Sequence, residues 1–270
     1  MPADSHLVLS LFPGAGLFDR GFEQAGFCVV RGPDTLLGQR IEDFHCPEGH
    51  FVGVIGGPPC QDFSRARRRP PTGHGERMLA EFRRVVTEAN PLWWLMENVV
   101  GVPGMVIAGY SVQRFNLFAW EFCLRQTRNR AFQFGAKDGK ALQIKRTMSQ
   151  QPNWLAKTVM AHDERGRFQR LCELQGLPSG FNLPGLSRTA KIRAIGNGVP
   201  VPMARAVAEA IRDRAVTEGL RLCPCECGRL LTGNPQSATA ACRKRLERER
   251  AAASRDLATA EVPCLEQVAV

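Results

Sequence analysis

Short apolar runs alternate with amphipathic stretches over the first half of the chain, and this alternation limits the fold most. Residues 7–12 (LVLSLF) read as a buried strand that runs into PGAG. The next stretch, LFDRGFEQAG, places Leu17, Phe18 and Phe22 on one helical face, with Gly26 as its C-cap. Residues 27–30 and 51–55 are two further strands. Residues 75–90 are helical and stop at Pro91. Residues 92–96 (LWWLM) are a fourth, fully buried strand, and 110–117 and 128–134 are two more. Strands that alternate with helices need crossover connections. The pattern therefore predicts an α/β fold with a mostly parallel sheet and helices on both faces. Residues 136–190 have weak periodicity and are expected to be irregular. Residues 202–214 read as an amphipathic helix.

Chemistry-bearing residues cluster where these strands end. GGPPCQDFS (56–64) presents one thiol, Cys60, behind two glycines that permit a turn and two prolines that fix φ. A rigid loop at a strand's carboxyl end is where open α/β sheets bind ligands. The first strand ends in FPGAGL (12–17) before a helix, the arrangement of a nucleotide-type cofactor site, although glycine turns are common there. Glu97 closes the LWWLM strand; it is either a carboxyl with a perturbed pKa or a solvated acid. In QTRNR (126–130), strand alternation puts Gln126, Arg128 and Arg130 on one face, which suits an anion or an exposed surface. IGNGVPVPMARAVAEAI (195–211) reads as a tight turn at Asn197 running into a helix.

Lys and Arg number 36 against 26 Asp and Glu, a net charge of +10 that suits a polyanionic partner such as nucleic acid. No apolar run approaches the length of a membrane span, and MPADSHLVLSLF lacks the basic lead of a signal peptide. An intracellular location is expected, so the ten cysteines read as thiols or metal ligands rather than disulfides.

Taken in order, LFPGAGLFDRGFEQAGF, GGPPCQDFS, ENV, QTRNR, LQGLP (174–178) and GNGVPVPMA resemble the DNA cytosine-5 methyltransferase family, and the resemblance runs from Leu7 to Ile211. It implies a Rossmann-like fold dependent on S-adenosylmethionine, in a small prokaryotic or phage member acting as a monomer in the cytoplasm. It implies that Cys60 adds to C6 of cytosine while Glu97 serves N3. Arg128 and Arg130 would orient the base and, as cations, lower the thiol's pKa. Phe12, Gly14, Gly16 and Leu17 would line the cofactor site, with Pro58 nearby and Asn197 and Val199 closing over it. The target base must leave double-stranded DNA. Residues 64–77 would close on that DNA, with Arg65, Arg67, Arg68 and Arg69 facing phosphates.

Three departures from the family stand out. Only Asp34 is available for the ribose, and Arg40 stands where an acid reads the adenine, leaving Glu42 or Asp43 as substitutes. The target-recognition region shrinks to 136–190 within a methyltransferase domain of 1–218. A Cys-rich module at 219–250 follows, in which Cys223, Cys225, Cys227 and Cys242 could bind zinc or remain reduced thiols. The basic run RKRLERER would add a DNA contact, and 251–270 reads as a disordered tail. A catalytically degenerate DNA-binding protein, the same chemistry on RNA, and a modified donor stay open as alternatives.

Overall fold

The computed structural model describes residues 7–64, 67, 70–153, 158–159, 168–213, 221–222, 230–231, 243–244 and 247–248. Its main sheet contains β1 (Leu7–Leu11), β2 (Cys28–Arg31), β3 (Gly53–Gly56), β4 (Trp93–Asn98), β5 (Ser111–Phe118) and β6 (Asn129–Ala136). The strand order is β2-β1-β3-β4-β6-β5. Pairing is parallel from β2 through β4, and β6 is antiparallel to both β4 and β5. Only β6 thus opposes the common direction, and the sheet is mostly parallel as expected. The chain leaves β1 for β2 on one side and returns to β3 on the other. The crevice outside the carboxyl ends of β1 and β3 is therefore a topological switch point.

Alternation along each strand divides the core into two layers. Val8, Ile55, Trp93 and Leu95 pack under α1 (Leu17–Gln24) and a late helix at Val201–Arg212, through Phe18, Phe22, Met203 and Val207. Leu9, Leu11, Val54, Trp94 and Met96 pack on the other face under α2 (His74–Ala89), through Met78, Phe82 and Val86. Adjacent strands make room for the two indoles. Gly53 pairs with Trp93, Gly135 pairs with Trp94, and a Cβ at either glycine would come within 2.2 Å of the ring.

The strand assignments hold with ends displaced by one or two residues. The expected irregular region contains more order than its periodicity suggested. Its described part includes α3 (Phe168–Leu174), and α4 (Arg188–Asn197) begins near its end. Leu171, Leu174, Leu177, Ile192 and Ile195 join Leu17 and Val201 in a third apolar cluster. Asn197, expected in a tight turn, ends α4 instead, and α5 (Val201–Arg212) starts after Gly198-Val199-Pro200. β7 (Arg221–Leu222) and β8 (Leu230–Leu231) form a short antiparallel pair. Among the described residues, no helix is long and apolar enough to cross a membrane.

Candidate active site

The turn after β1 is built from unusual backbone. Phe12, Gly14 and Gly16 all have positive φ, at 55°, 53° and 72°. For Phe12 this is a strained conformation, of the kind that persists where surrounding structure enforces it. Asp34 contributes to that enforcement, because its carboxylate accepts from Gly14 N at 2.8 Å and Leu36 N at 2.6 Å. Gly16 caps α1, and a Cβ there would stand 2.4 Å from Arg31 Nη2.

The Cys60 loop leaves β3 through Gly56 and Gly57. A Cβ at Gly56 would lie 2.8 Å from the Phe82 ring, and one at Gly57 would lie 3.4 Å from Glu97 Oε2. The loop is held at two points. Asn98, at the end of β4, donates from Nδ2 to the Pro58 carbonyl at 3.0 Å. Asp62 accepts from Thr72 N at 2.9 Å and Gly75 N at 2.8 Å, which ties the residues after Cys60 to the start of α2. Because β6 is antiparallel, its first residues reach the same edge at which β4 ends. Asn98 pairs with Ala131, and Arg130 follows one step beyond. Arg130 Nε lies 2.8 Å from Glu97 Oε1, at ion-pair distance, while Oε1 has no aligned hydrogen-bond donor.

One cleft of about 720 Å³ includes Cys60, Glu97 and Arg130 in its wall. Phe12, Gly14, Leu17, Pro58, Asn197 and Val199, expected around a cofactor, line it too. Burial pushes the Glu97 carboxyl above its ordinary range, against the pull of Arg130 and Arg128. Burial also raises the Cys60 thiol, and the Glu97 charge raises it further. Arg130 and Arg128 act in the opposite direction and are outweighed. The expected lowering of the thiol's pKa is therefore reversed: Cys60 rests as a thiol.

Other expected residues sit elsewhere. Gly16 is absent from the cleft wall and serves the helix cap. Arg128 is also absent from it. It is completely buried, and its guanidinium donates to the carbonyls of Val159, Gly196 and Gly198 at 2.9–3.0 Å. The strand begins at Asn129, and before it Gln126 and Arg128 are both buried and bonded to Val159, whereas Arg130 pairs with Glu97. Arg40 and Glu42 both line the cleft, 3.6 Å apart, whereas Asp43 does not. Asp34 lines it with its carboxylate engaged by backbone. Arg67 is exposed and donates to the Asp62 carbonyl. Arg65, Arg68, Arg69 and the cysteines Cys223, Cys225, Cys227 and Cys242 lie outside the described residues, as does the 251–270 tail. Among the described residues no group of three or more His, Cys, Asp or Glu side chains could hold a metal ion. Sequence reasoning assigned no role to Asn98 or Arg193, which both line the cleft, although Asn98 stands inside the quoted ENV.

A family model for C-5 cytosine-specific DNA methylase matches residues 38–165. The Type II methyltransferase M.AgeI of Thalassovita gelatinovora is 31% identical over 173 residues, covering 50% of this chain and 40% of that protein. The Type II methyltransferase M.AquIA of Picosynechococcus sp. is 33% identical over 184 residues, covering 51% of this chain and 74% of that protein. The chain spans about two fifths of the length of M.AgeI and of M.DdeI from Desulfomicrobium norvegicum. Among solved structures, the Entamoeba histolytica methyltransferase EhMeth superposes with a TM-score of 0.60 at 9% identity, over 77% of this chain and 98% of that one. The S. pombe Dnmt2 methyltransferase gives 0.57 at 13%, over 77% and 99%. Those two likenesses establish the fold.

Proposed function

This chain belongs to the C-5 cytosine-specific DNA methylase family, and from that premise we propose that it methylates C5 of cytosine in double-stranded DNA. The observation that carries the reading is the shared wall: a thiol, a carboxyl with raised pKa and a guanidinium line the same cleft as the strained turn after β1. That cleft fits S-adenosylmethionine. The N-terminus of α1 and the backbone of Gly14 offer polar groups, and Phe12, Leu17, Leu36 and Val199 offer apolar surface. When bound, S-adenosylmethionine supplies an electrophilic methyl group.

The chain's own residues make C5 reactive. Cytosine C5 is a weak nucleophile, and covalent addition at C6 converts the ring to an enamine. Cys60 gives its proton to water as its sulfur bonds to C6, and the C5–C6 electron pair shifts toward C5. Glu97, inclined by burial to hold a proton, donates it to N3 and offsets the charge that develops on the ring. Arg130, paired with Glu97, fixes the direction of that carboxyl. After C5 is methylated, a base such as water takes its hydrogen as a proton, that electron pair restores the C5–C6 double bond as Cys60 leaves C6 as thiolate, and the N3 proton returns to Glu97. Flipping the base out of the duplex precedes all of these steps.

The remaining elements of the proposal rest on sequence. The chain acts as a monomer in the cytoplasm of a prokaryotic or phage-infected cell, and 1–218 is the catalytic domain. Arg65, Arg67, Arg68 and Arg69 contact DNA phosphates. Cys223, Cys225, Cys227 and Cys242 bind zinc in a basic module at 219–250, supported by their spacing alone. Nucleoside mass analysis of DNA from cells expressing the chain tests the activity. We expect 5-methylcytosine that is absent from a Cys60→Ala control. Unmodified cytosine from soluble protein would overturn the reading, and a different added mass would identify a different donor.

A further inference from the structure

Gln175, within LQGLP, takes no part in the chemistry above, yet it is completely buried. It follows the last residue of α3, and Gly176 at φ 74° closes that helix, with Leu177 N bonded to the Cys172 carbonyl. The turn is packed against the start of α5. A Cβ at Gly176 would lie 2.4 Å from Pro202 Cδ, and Val201 N donates to the Gln175 carbonyl at 3.0 Å.

The Gln175 side chain reaches away from its own helix. Nε2 donates to the Ile195 carbonyl at 2.7 Å and the Gly198 carbonyl at 3.1 Å. Oε1 accepts from Gln126 Nε2 at 3.0 Å. The last carbonyls of a helix have no partner within it, so buried ones need outside donors. At α4 the side-chain donors are Gln175 and Arg128, which converge on the Gly198 carbonyl, and Gly198 N also donates to the Ile195 carbonyl at 3.2 Å. The gripped carbonyls of residues 195, 196 and 198 flank Asn197, and Asn197, Gly198 and Val199 line the cleft.

We propose that Gln175 is a positioning residue for the cofactor: it grips the carbonyls on both sides of Asn197 and so fixes Asn197 and Val199 in the cleft wall. This rests on reading that cleft as the S-adenosylmethionine site. Because Gln175 sits at the end of α3, it also ties the recognition region to the segment that closes over the cofactor.

Buried Gln113 provides the control. It exchanges hydrogen bonds with Leu142, donating at 3.0 Å and accepting at 2.6 Å, and it does not line the cleft. Gln113→Met and Gln175→Met each keep the side chain's length and remove its hydrogen bonds. The test is calorimetric binding of S-adenosylhomocysteine to the full chain and to each variant, with thermal melting alongside. Gln175→Met should bind about tenfold more weakly, a loss in line with one or two buried hydrogen bonds. Gln113→Met should bind within about twofold of the parent, since its hydrogen bonds lie outside the site. In turnover, Gln175→Met should raise KM for S-adenosylmethionine and leave kcat at saturation nearly unchanged. If Gln175→Met does not fold, Gln175→Asn, too short to span both carbonyls, is read in its place. Unchanged binding by the Gln175 variant, or equal weakening by both variants, overturns the proposal. A parent chain that fails to bind S-adenosylhomocysteine overturns the cofactor reading itself, and this inference with it.

Discussion

Glu97 restrains Cys60. Both are pushed toward their neutral forms by burial, and the Glu97 charge pushes the Cys60 thiol further up. The pH consequence has a definite sign. Below its raised pKa, Cys60 is mostly thiol, so removing the Glu97 charge lowers that pKa and increases the thiolate fraction. At a pH above the raised pKa of Glu97 and below that of Cys60, Glu97→Gln should therefore speed alkylation of Cys60 by iodoacetamide, by about threefold for each unit of pKa removed. Site-resolved mass spectrometry reads this separately from exposed Cys28 and Cys123. An unchanged or slower rate would show that Glu97 does not set the thiol's pKa. Cys60, Glu97 and Arg130 were legible as candidates because each stands at or just beyond a strand end, where local chemistry is readable. The burial of Arg128 was not legible for a non-local reason: two of the carbonyls it donates to, at Gly196 and Gly198, come from about 70 residues further along the chain.

At the scale of elements, β4 organises the sheet, and its two tryptophans depend on the glycines opposite them. Gly135 has no room for a methyl group beside Trp94. Gly135→Ala should cost roughly 1–3 kcal/mol through overpacking. That cost should lower Tm by several degrees in a scan at fixed pH, and an unshifted Tm would mean that β4 and β6 are less tightly packed than the pairing implies. The strands were legible in the sequence because each is a short apolar run bounded by turn residues. α4 was not, because it buries only Ile192, Ile195 and Gly196 and leaves small and polar residues on its other faces. Part of that polar face, at Ala190, Arg193, Ala194 and Asn197, is the wall of the cleft. A helix that lines a binding site lacks the apolar stripe by which helices are recognised.

Across the whole molecule, topology assembles what the sequence scatters. The switch between β1 and β3 opens the crevice, and β6, the strand that runs against the others in the main sheet, turns Arg130 back toward Glu97 at the edge where Cys60 emerges. The alternation of strands and helices made the parallel half of this legible. The convergence of Arg128 and Gln175 on the end of α4, with Gln126 bonded to Gln175, had no signal in any single stretch, because it joins three distant segments. The central claim is that this assembly makes Cys60 a nucleophile toward cytosine C6, and a covalent trap tests it most directly. Duplex DNA carrying 5-fluorocytosine blocks the last step, since C5 then has no proton to lose. Incubated with S-adenosylmethionine, the chain should form a complex that survives denaturation and maps by peptide mass to Cys60, and Cys60→Ser should form none. A chain that methylates ordinary DNA but leaves no adduct on Cys60 would contradict the account.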